Sequence, residues 1–110
     1  MIVAATSPAV SRELARLGAH VRSWRKIAGL TAEMVADRAG VSRDTLRAIE
    51  TGRSASTENL LAVLRILGLL APVIEATDPI NSEFGVQNLA RASVERVRVP
   101  GRRSRTEEDS

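Results

Sequence analysis

Apolar residues in the first two thirds of the chain recur at three- and four-residue steps, the spacing that collects them on one face of an α-helix. The first run carries Leu14, Leu17, Val21, Trp24 or Arg25, and Ala28. Ser7 before Pro8 supplies a cap and then a proline at the first helical position, where its missing N–H is not needed, and Gly29 stops the run. Thr31 caps a second helix over Ala32 to Ala39, with Val35 and Ala36 inward, Met34 flanking them and Gly40 at its end. Val41 leads into Ser42, a further cap, and Arg43 to Glu50 forms a short helix with Leu46 and Ile49 facing in and Gly52 after it. Ser56 caps a fourth helix over Thr57 to Leu67 that buries Leu60, Leu61, Leu64 and Leu67 before Gly68. No segment alternates with the period of two that a half-buried strand needs. The pattern therefore predicts an all-α fold, a compact four- to five-helix bundle.

Past Gly68 the pattern thins. Leu69 to Ala76 reads as a short fifth helix whose Leu69, Leu70, Val73 and Ile74 either close the monomer core or form a dimer surface. Asn81 to Ala92 has a fainter helical period, and from Ser93 onward no apolar period is sustained. Pro100-Gly101 followed by Arg102, Arg103 and Arg105 reads as a disordered basic tail. The expected organisation is a bundle domain over 8–76, a short extension over 77–92 and an arginine-rich tail over 93–110.

At 110 residues the chain has the size of one domain, and a large enzyme cleft is not expected. Only Trp24 and Phe84 are aromatic, so the core is aliphatic. The absence of cysteine excludes disulfides, thiolate zinc sites and thiol nucleophiles, and suits a reducing compartment. The first ten residues do not read as a secretion signal, and no apolar run is long enough to span a membrane. The expectation is a cytoplasmic, nucleoid-associated protein with no membrane partner. His20 has no second histidine or paired carboxylate at ligand spacing, and Ser42 has no base beside it. No phosphate loop or acid–base pair is present, so no catalysis, metal or cofactor is expected.

Charge changes the picture more. The net charge is +3, and 15 of the 16 basic residues are Arg, gathered in blocks. Residues 12–65 carry an excess of four positive charges, 66–90 hold Glu75, Asp78 and Glu83 with no basic residue, and 91–106 hold six Arg against Glu95. Arginine is the side chain best suited to phosphate and guanine edges, which raises nucleic acid as a partner. The final arginine block either adds sequence-independent phosphate contacts or is simply solvated.

The segment from Thr31 to Gly52 carries the function. Two capped helices crossing at a tight glycine turn form a helix-turn-helix, whose second helix enters the DNA major groove. Ala36 is small where the helices cross, Gly40 supplies a left-handed turn residue, and Val41 and Leu46 set the angle from inside. The outward face of the second helix is then Arg43, Asp44, Arg47 and Ala48. Arg43 suits bidentate bonds to guanine O6 and N7, and Asp44 suits a cytosine amino group or the orientation of a neighbouring Arg.

The joint pattern R-x-x-x-G-L-T over Arg25 to Thr31, A-x-x-A-G-V-S over Ala36 to Ser42 and I-E-x-G over Ile49 to Gly52 resembles the Cro and lambda-repressor class of helix-turn-helix regulators, the XRE family. The resemblance covers Val21 to Leu69 and implies a five-helix bundle that binds DNA as a homodimer. It implies that Arg25 and Glu50 form a buried ion pair, their place among Val21, Leu46 and Ile49 favouring burial. It implies base contacts from Arg43, Asp44 and Ala48, and backbone contacts from Thr31 and Ala32 at one helix start, from Ser42 at the next, and from Thr51 and Arg53 after the recognition helix. Ala32 stands where a glutamine is common and Ala48 lacks a polar tip, so base reading leans on Arg43, Asp44 and Arg47. The segment Leu67 to Gly85 resembles regulators of the HipB-like antitoxin branch. It implies as the alternative an antitoxin that holds a toxin protein through its C-terminal part.

Overall fold

Ser7 accepts a hydrogen bond from the Val10 amide and Pro8 sets the first turn of α1 (Pro8–Ile27), a helix roughly 30 Å long. In the structure, a computed structural model, residues 6 to 98 are described, with the side chains of 6 to 92. Four more α-helices and one 3₁₀ turn lie between α1 and the last helix: α2 (Ala32–Ala39), α3 (Arg43–Glu50), α4 (Thr57–Ile66), α5 (Leu70–Thr77) and the turn Pro79–Asn81. The last is α6 (Glu83–Arg98). All regular structure among the described residues is helical. The expected caps form: Thr31 accepts from Met34 N, Ser42 from Thr45 N and Ser56 from Asn59 N, each satisfying an amide that the helix start leaves open.

The chain divides into two compact units between Pro72 and Val73. In the first, Val21 of α1, Val35 and Ala36 of α2, Leu46 and Ile49 of α3, and Val63 and Leu64 of α4 are buried together. Full burial of such a side chain contributes about 1.5 to 3 kcal/mol, so this aliphatic cluster suffices without aromatic residues. Leu17, Leu30, Val41, Leu60, Leu61, Leu67 and Leu69 pack around it.

The structure differs from the sequence pattern in two details, decides between Trp24 and Arg25, and divides the residues after Gly68. Trp24 is 46% exposed, Ala28 faces solvent, and Arg25 takes the inward position on α1. On α4 the deepest residues are Val63 and Leu64, with Leu60, Leu61 and Leu67 half-buried. These five apolar residues wrap most of the helix, and contact with both α2 and α3 decides their depth. Of the four residues left open between core and dimer surface, Leu69 closes the core, whereas Val73 and Ile74 are exposed.

The second unit holds the end of α5, the 3₁₀ turn and α6. Asp78 accepts from Ile80 N at 3.1 Å, Asn81 Nδ2 donates to the Glu75 carbonyl at 2.8 Å, and Gly85 lets α6 approach the Pro79 carbonyl where a Cβ would collide. Helix α6 runs to Arg98, correcting the expectation of an unstructured tail from Ser93. An apolar period is not the only support for a helix, and the first backbone breaker in this stretch is Pro100. The rest of the expected tail, 99–110, lies outside the described residues.

The contact that fixes α3 is made through glycine. A Cβ on Gly18 of α1 would run into the Ile49 carbonyl oxygen and lie 2.8 Å from that of Glu50. Gly52, at φ +80°, packs so closely on α1 that a Cβ there would sit 2.7 Å from Ala15 Cα. Alanine at Gly18 gains about 1 kcal/mol of helix propensity but runs into two backbone carbonyls, which cannot swing aside as a side chain can, so the overpacking cost lies at the upper end of its range, about 2 to 3 kcal/mol. Gly18→Ala is thus expected to lose about 1 to 2 kcal/mol net and to lower Tm by roughly 5 to 15 °C in thermal unfolding followed by circular dichroism. An unchanged or raised Tm would show that α1 and α3 are not in this close contact.

Candidate nucleic-acid interface

The α2–α3 corner is built by local rules. Gly40 adopts the left-handed conformation at φ +72°, which closes α2 by letting Val41 N reach the Ala36 carbonyl at 3.0 Å. Val41 tucks against the core and Ser42 opens α3. The Ser42 hydroxyl accepts from Thr45 N at 3.0 Å and donates to Thr45 Oγ1 at 2.9 Å, so both its functions are engaged inside the helix start. With Leu46 and Ile49 buried, α3 turns Arg43, Asp44 and Arg47 to solvent, while Ala48 is half-buried.

The far end of α3 is held by Arg25. Its Nε donates to Glu50 Oε2 at 2.7 Å and its Nη2 to Oε1 at 3.0 Å, a two-pronged charge-assisted pair. Nη1 donates to the Leu30 carbonyl at 3.2 Å, while the Leu30 amide donates to the Arg25 carbonyl at 3.0 Å. One residue thus ties α1, the α1–α2 loop and the last residue of α3 together. The side chains of Arg25 and Glu50 are only 12% and 9% exposed. The hydrogen bond to Glu50 raises the Arg25 pKa above its ordinary value; burial opposes the shift and the Glu50 charge adds to it. The pair therefore holds the guanidinium in its charged form.

Past α3, Thr51 Oγ1 donates to the Arg47 carbonyl at 2.7 Å and accepts from Arg53 Nε at 3.2 Å. Arg53 is also anchored by its own amide, which donates to the Ala48 carbonyl at 2.8 Å. Thr51 is in effect a bracket between the end of α3 and the Arg53 guanidinium, whose terminal nitrogens make no hydrogen bond among the described residues. Thr31 is exposed at the start of α2, and Ala32 is half-buried against the core.

A cleft of about 600 Å³ brings most of these groups together. It is lined by Arg22, Arg25, Ala32, Arg43, Asp44, Leu46, Arg47, Glu50 and Thr51. Thr31, Ser42, Ala48 and Arg53 stand outside it. The sequence reading missed Arg22, Gly18 and the Leu30 carbonyl. The one available signal for Arg22 is its place one helical turn before Arg25. Among the described residues no cluster of carboxylates or histidines is arranged to hold a metal, and no helix is long and apolar enough to cross a membrane.

A family model described as a helix-turn-helix domain matches residues 16–76, more than half of the chain. No curated protein matches the sequence.

Removing one member of a fully buried pair leaves the other charge without compensation, at a cost of about 3 to 5 kcal/mol, and the half-buried couple here, at the edge of a cleft, falls toward or below the lower end, about 2 to 3 kcal/mol. Glu50→Ala is expected to destabilise the first unit by about this amount in urea unfolding. The double variant Arg25→Met with Glu50→Leu is expected to recover most of the loss, because an apolar pair of similar size replaces both charges. A Glu50→Ala protein as stable as the wild type would show that the pair is solvent-screened.

Proposed function

This chain belongs to the helix-turn-helix domain family, DNA-binding regulators by their domain, and we propose that it is a transcriptional repressor that binds an inverted-repeat operator as a homodimer. The observation that carries the reading is the division of α3, whose inner face is locked by Leu46, Ile49 and Glu50 and whose outer face presents Arg43, Asp44 and Arg47. Arg43 is the first residue of the helix, the end that meets base edges when a recognition helix enters the major groove. Its guanidinium takes a guanine O6 and N7 together, and Asp44 takes a cytosine amino group or steadies Arg43 or Arg47. Ala48 adds at most an apolar contact, of the kind that a thymine methyl makes.

Backbone contacts come from Arg53 and from Thr31, whose hydroxyl accepts from Met34 N and keeps its own proton for a phosphate oxygen. Ala32 shapes the floor beside them. Ser42 and Thr51 act as supports, because their hydroxyl protons are engaged with Thr45 and with the Arg47 carbonyl. A two-fold dimer sets two such helices about 34 Å apart and matches half-sites one helical turn apart.

A second reading, an antitoxin that grips a toxin protein, is favoured by a separate observation. The second unit leaves Ile80, Phe84 and Val86 more than half exposed.

The test is fluorescence anisotropy with the duplex upstream of the protein's own gene against a shuffled duplex of equal composition. Arg43→Ala is expected to lose about 1 to 3 kcal/mol on the native duplex and to relax preference at one base position. Arg53→Ala is expected to weaken both duplexes alike and to lower the salt slope by about one. Equal losses on both duplexes for Arg43→Ala would remove it from base reading, and a wild type without preference for the native duplex would overturn the autoregulatory form of the reading.

A further inference from the structure

We propose that Arg22 of α1 is a third component of the DNA interface, a positioning residue that takes a backbone phosphate at the rim of the groove entered by α3. The proposal rests on the reading of α3 as a recognition helix and adds to it a residue from a different helix, outside the helix-turn-helix itself.

The cleft that holds Arg43 and Arg47 is bounded on its α1 side by Arg22 and Arg25, which lie one helical turn apart. Their surroundings differ. Arg25 is half-buried and donates to Glu50 and to the Leu30 carbonyl. Arg22 is exposed and makes neither an ion pair nor a side-chain hydrogen bond among the described residues. Four guanidinium groups line the cleft against two carboxylates, and both oxygens of Glu50 already accept from Arg25. Asp44 is left as the one acidic partner for Arg22, Arg43 and Arg47. A cleft with this excess of unpaired guanidinium attracts a polyanion.

Position along α3 decides what Arg22 meets. Arg25 touches Glu50, the last residue of α3, and Arg22 lies on the same side of α1. Arg22 thus lines the same cleft as Arg43, Arg47 and Thr51, one turn of α1 from the residue that holds the C-terminal end of α3. A recognition helix reads base edges with its N-terminal residues, and the residues around its other end lie nearer the backbone. A cation at that end meets phosphate, which fixes register and carries no sequence preference.

The experiment is a salt titration of anisotropy for wild type, Arg22→Ala, Arg22→Lys and Arg65→Ala, with the native upstream duplex and its shuffled counterpart. Arg22→Ala is expected to weaken both duplexes by the same several-fold factor, to lower the slope of log affinity against log salt by about one, and to leave their ratio unchanged. Arg22→Lys restores the slope, since a point charge suffices for a phosphate. Arg65→Ala, which removes a charge from α4 outside the cleft, keeps the wild-type slope. The proposal is overturned if Arg22→Ala keeps the wild-type slope, if it changes the ratio between the duplexes, or if Arg65→Ala lowers the slope equally. Failure of the underlying reading looks different: wild type then shows no salt-dependent binding to either duplex. Circular dichroism melting of Arg22→Ala, expected to match wild type for an exposed side chain, separates the binding effect from misfolding.

Discussion

The orientation of α3 depends on one half-buried couple. An isolated helix of eight residues is not stable in water, so nothing within α3 fixes where it points. Leu46 and Ile49 hold it to the core but would tolerate rotation, since apolar contact is not directional. The forked pair between Arg25 and Glu50 is directional, because the planar guanidinium donates to both carboxylate oxygens in one geometry. It acts at the end of α3, where the close passage of Gly18 of α1 against the Ile49 and Glu50 carbonyls, and of Gly52 against Ala15 of α1, leaves no slack. Arg25 also clasps Leu30 through backbone and side chain, so the same residue that aims α3 fixes the loop entering α2.

The polar groups around α3 divide by whether the protein already uses them. Ser42, Thr45 and Thr51 close the ends of the helix, and their hydroxyls find partners within a few residues. Arg22, Arg43 and Arg47 have no carboxylate partner among the described residues, although Asp44 lines the same cleft. Long exposed side chains keep their rotamer freedom until a ligand orders them, which weakens binding unless the scaffold beneath is rigid. Here rigidity comes from the short-range caps and the half-buried pair, so the ordering on binding is confined to the side chains.

Most of this was readable in the sequence because it is local. A Ser or Thr before an apolar period and a Gly after it specify helix ends by geometry within a few residues, and α2 and α3 fall where Thr31, Gly40 and Ser42 place them. Long-range choices were not readable. The helical period leaves Trp24 and Arg25 equivalent, and Glu50 across the interface selects Arg25. Gly18 looks like a weak point within α1 until the α3 carbonyls above it are seen. Arg22 is one arginine among fifteen, and only the cleft distinguishes it. Helix α6 exceeds its expected limit because the absence of a breaker is a weaker sequence signal than the presence of a cap.

The second unit differs from the first in its charge pattern, acidic at its start and rich in arginine from Arg91 onward. Glu75, Asp78 and Glu83 all fall in it, and no basic residue occurs between Ile66 and Ala90. Carboxylates near a phosphate backbone are repelled over roughly a Debye length, about 8 Å at physiological salt, so this stretch does not extend the cationic cleft. It instead carries Ile80, Phe84 and Val86 on a small scaffold whose own contacts, Asn81 to Glu75 and Gly85 to Pro79, leave those side chains outside. The acidic stretch after α4 thus separates the guanidinium groups of the first unit from the exposed aliphatic and aromatic groups of Ile80, Phe84 and Val86, and a further block of arginine follows from Arg91.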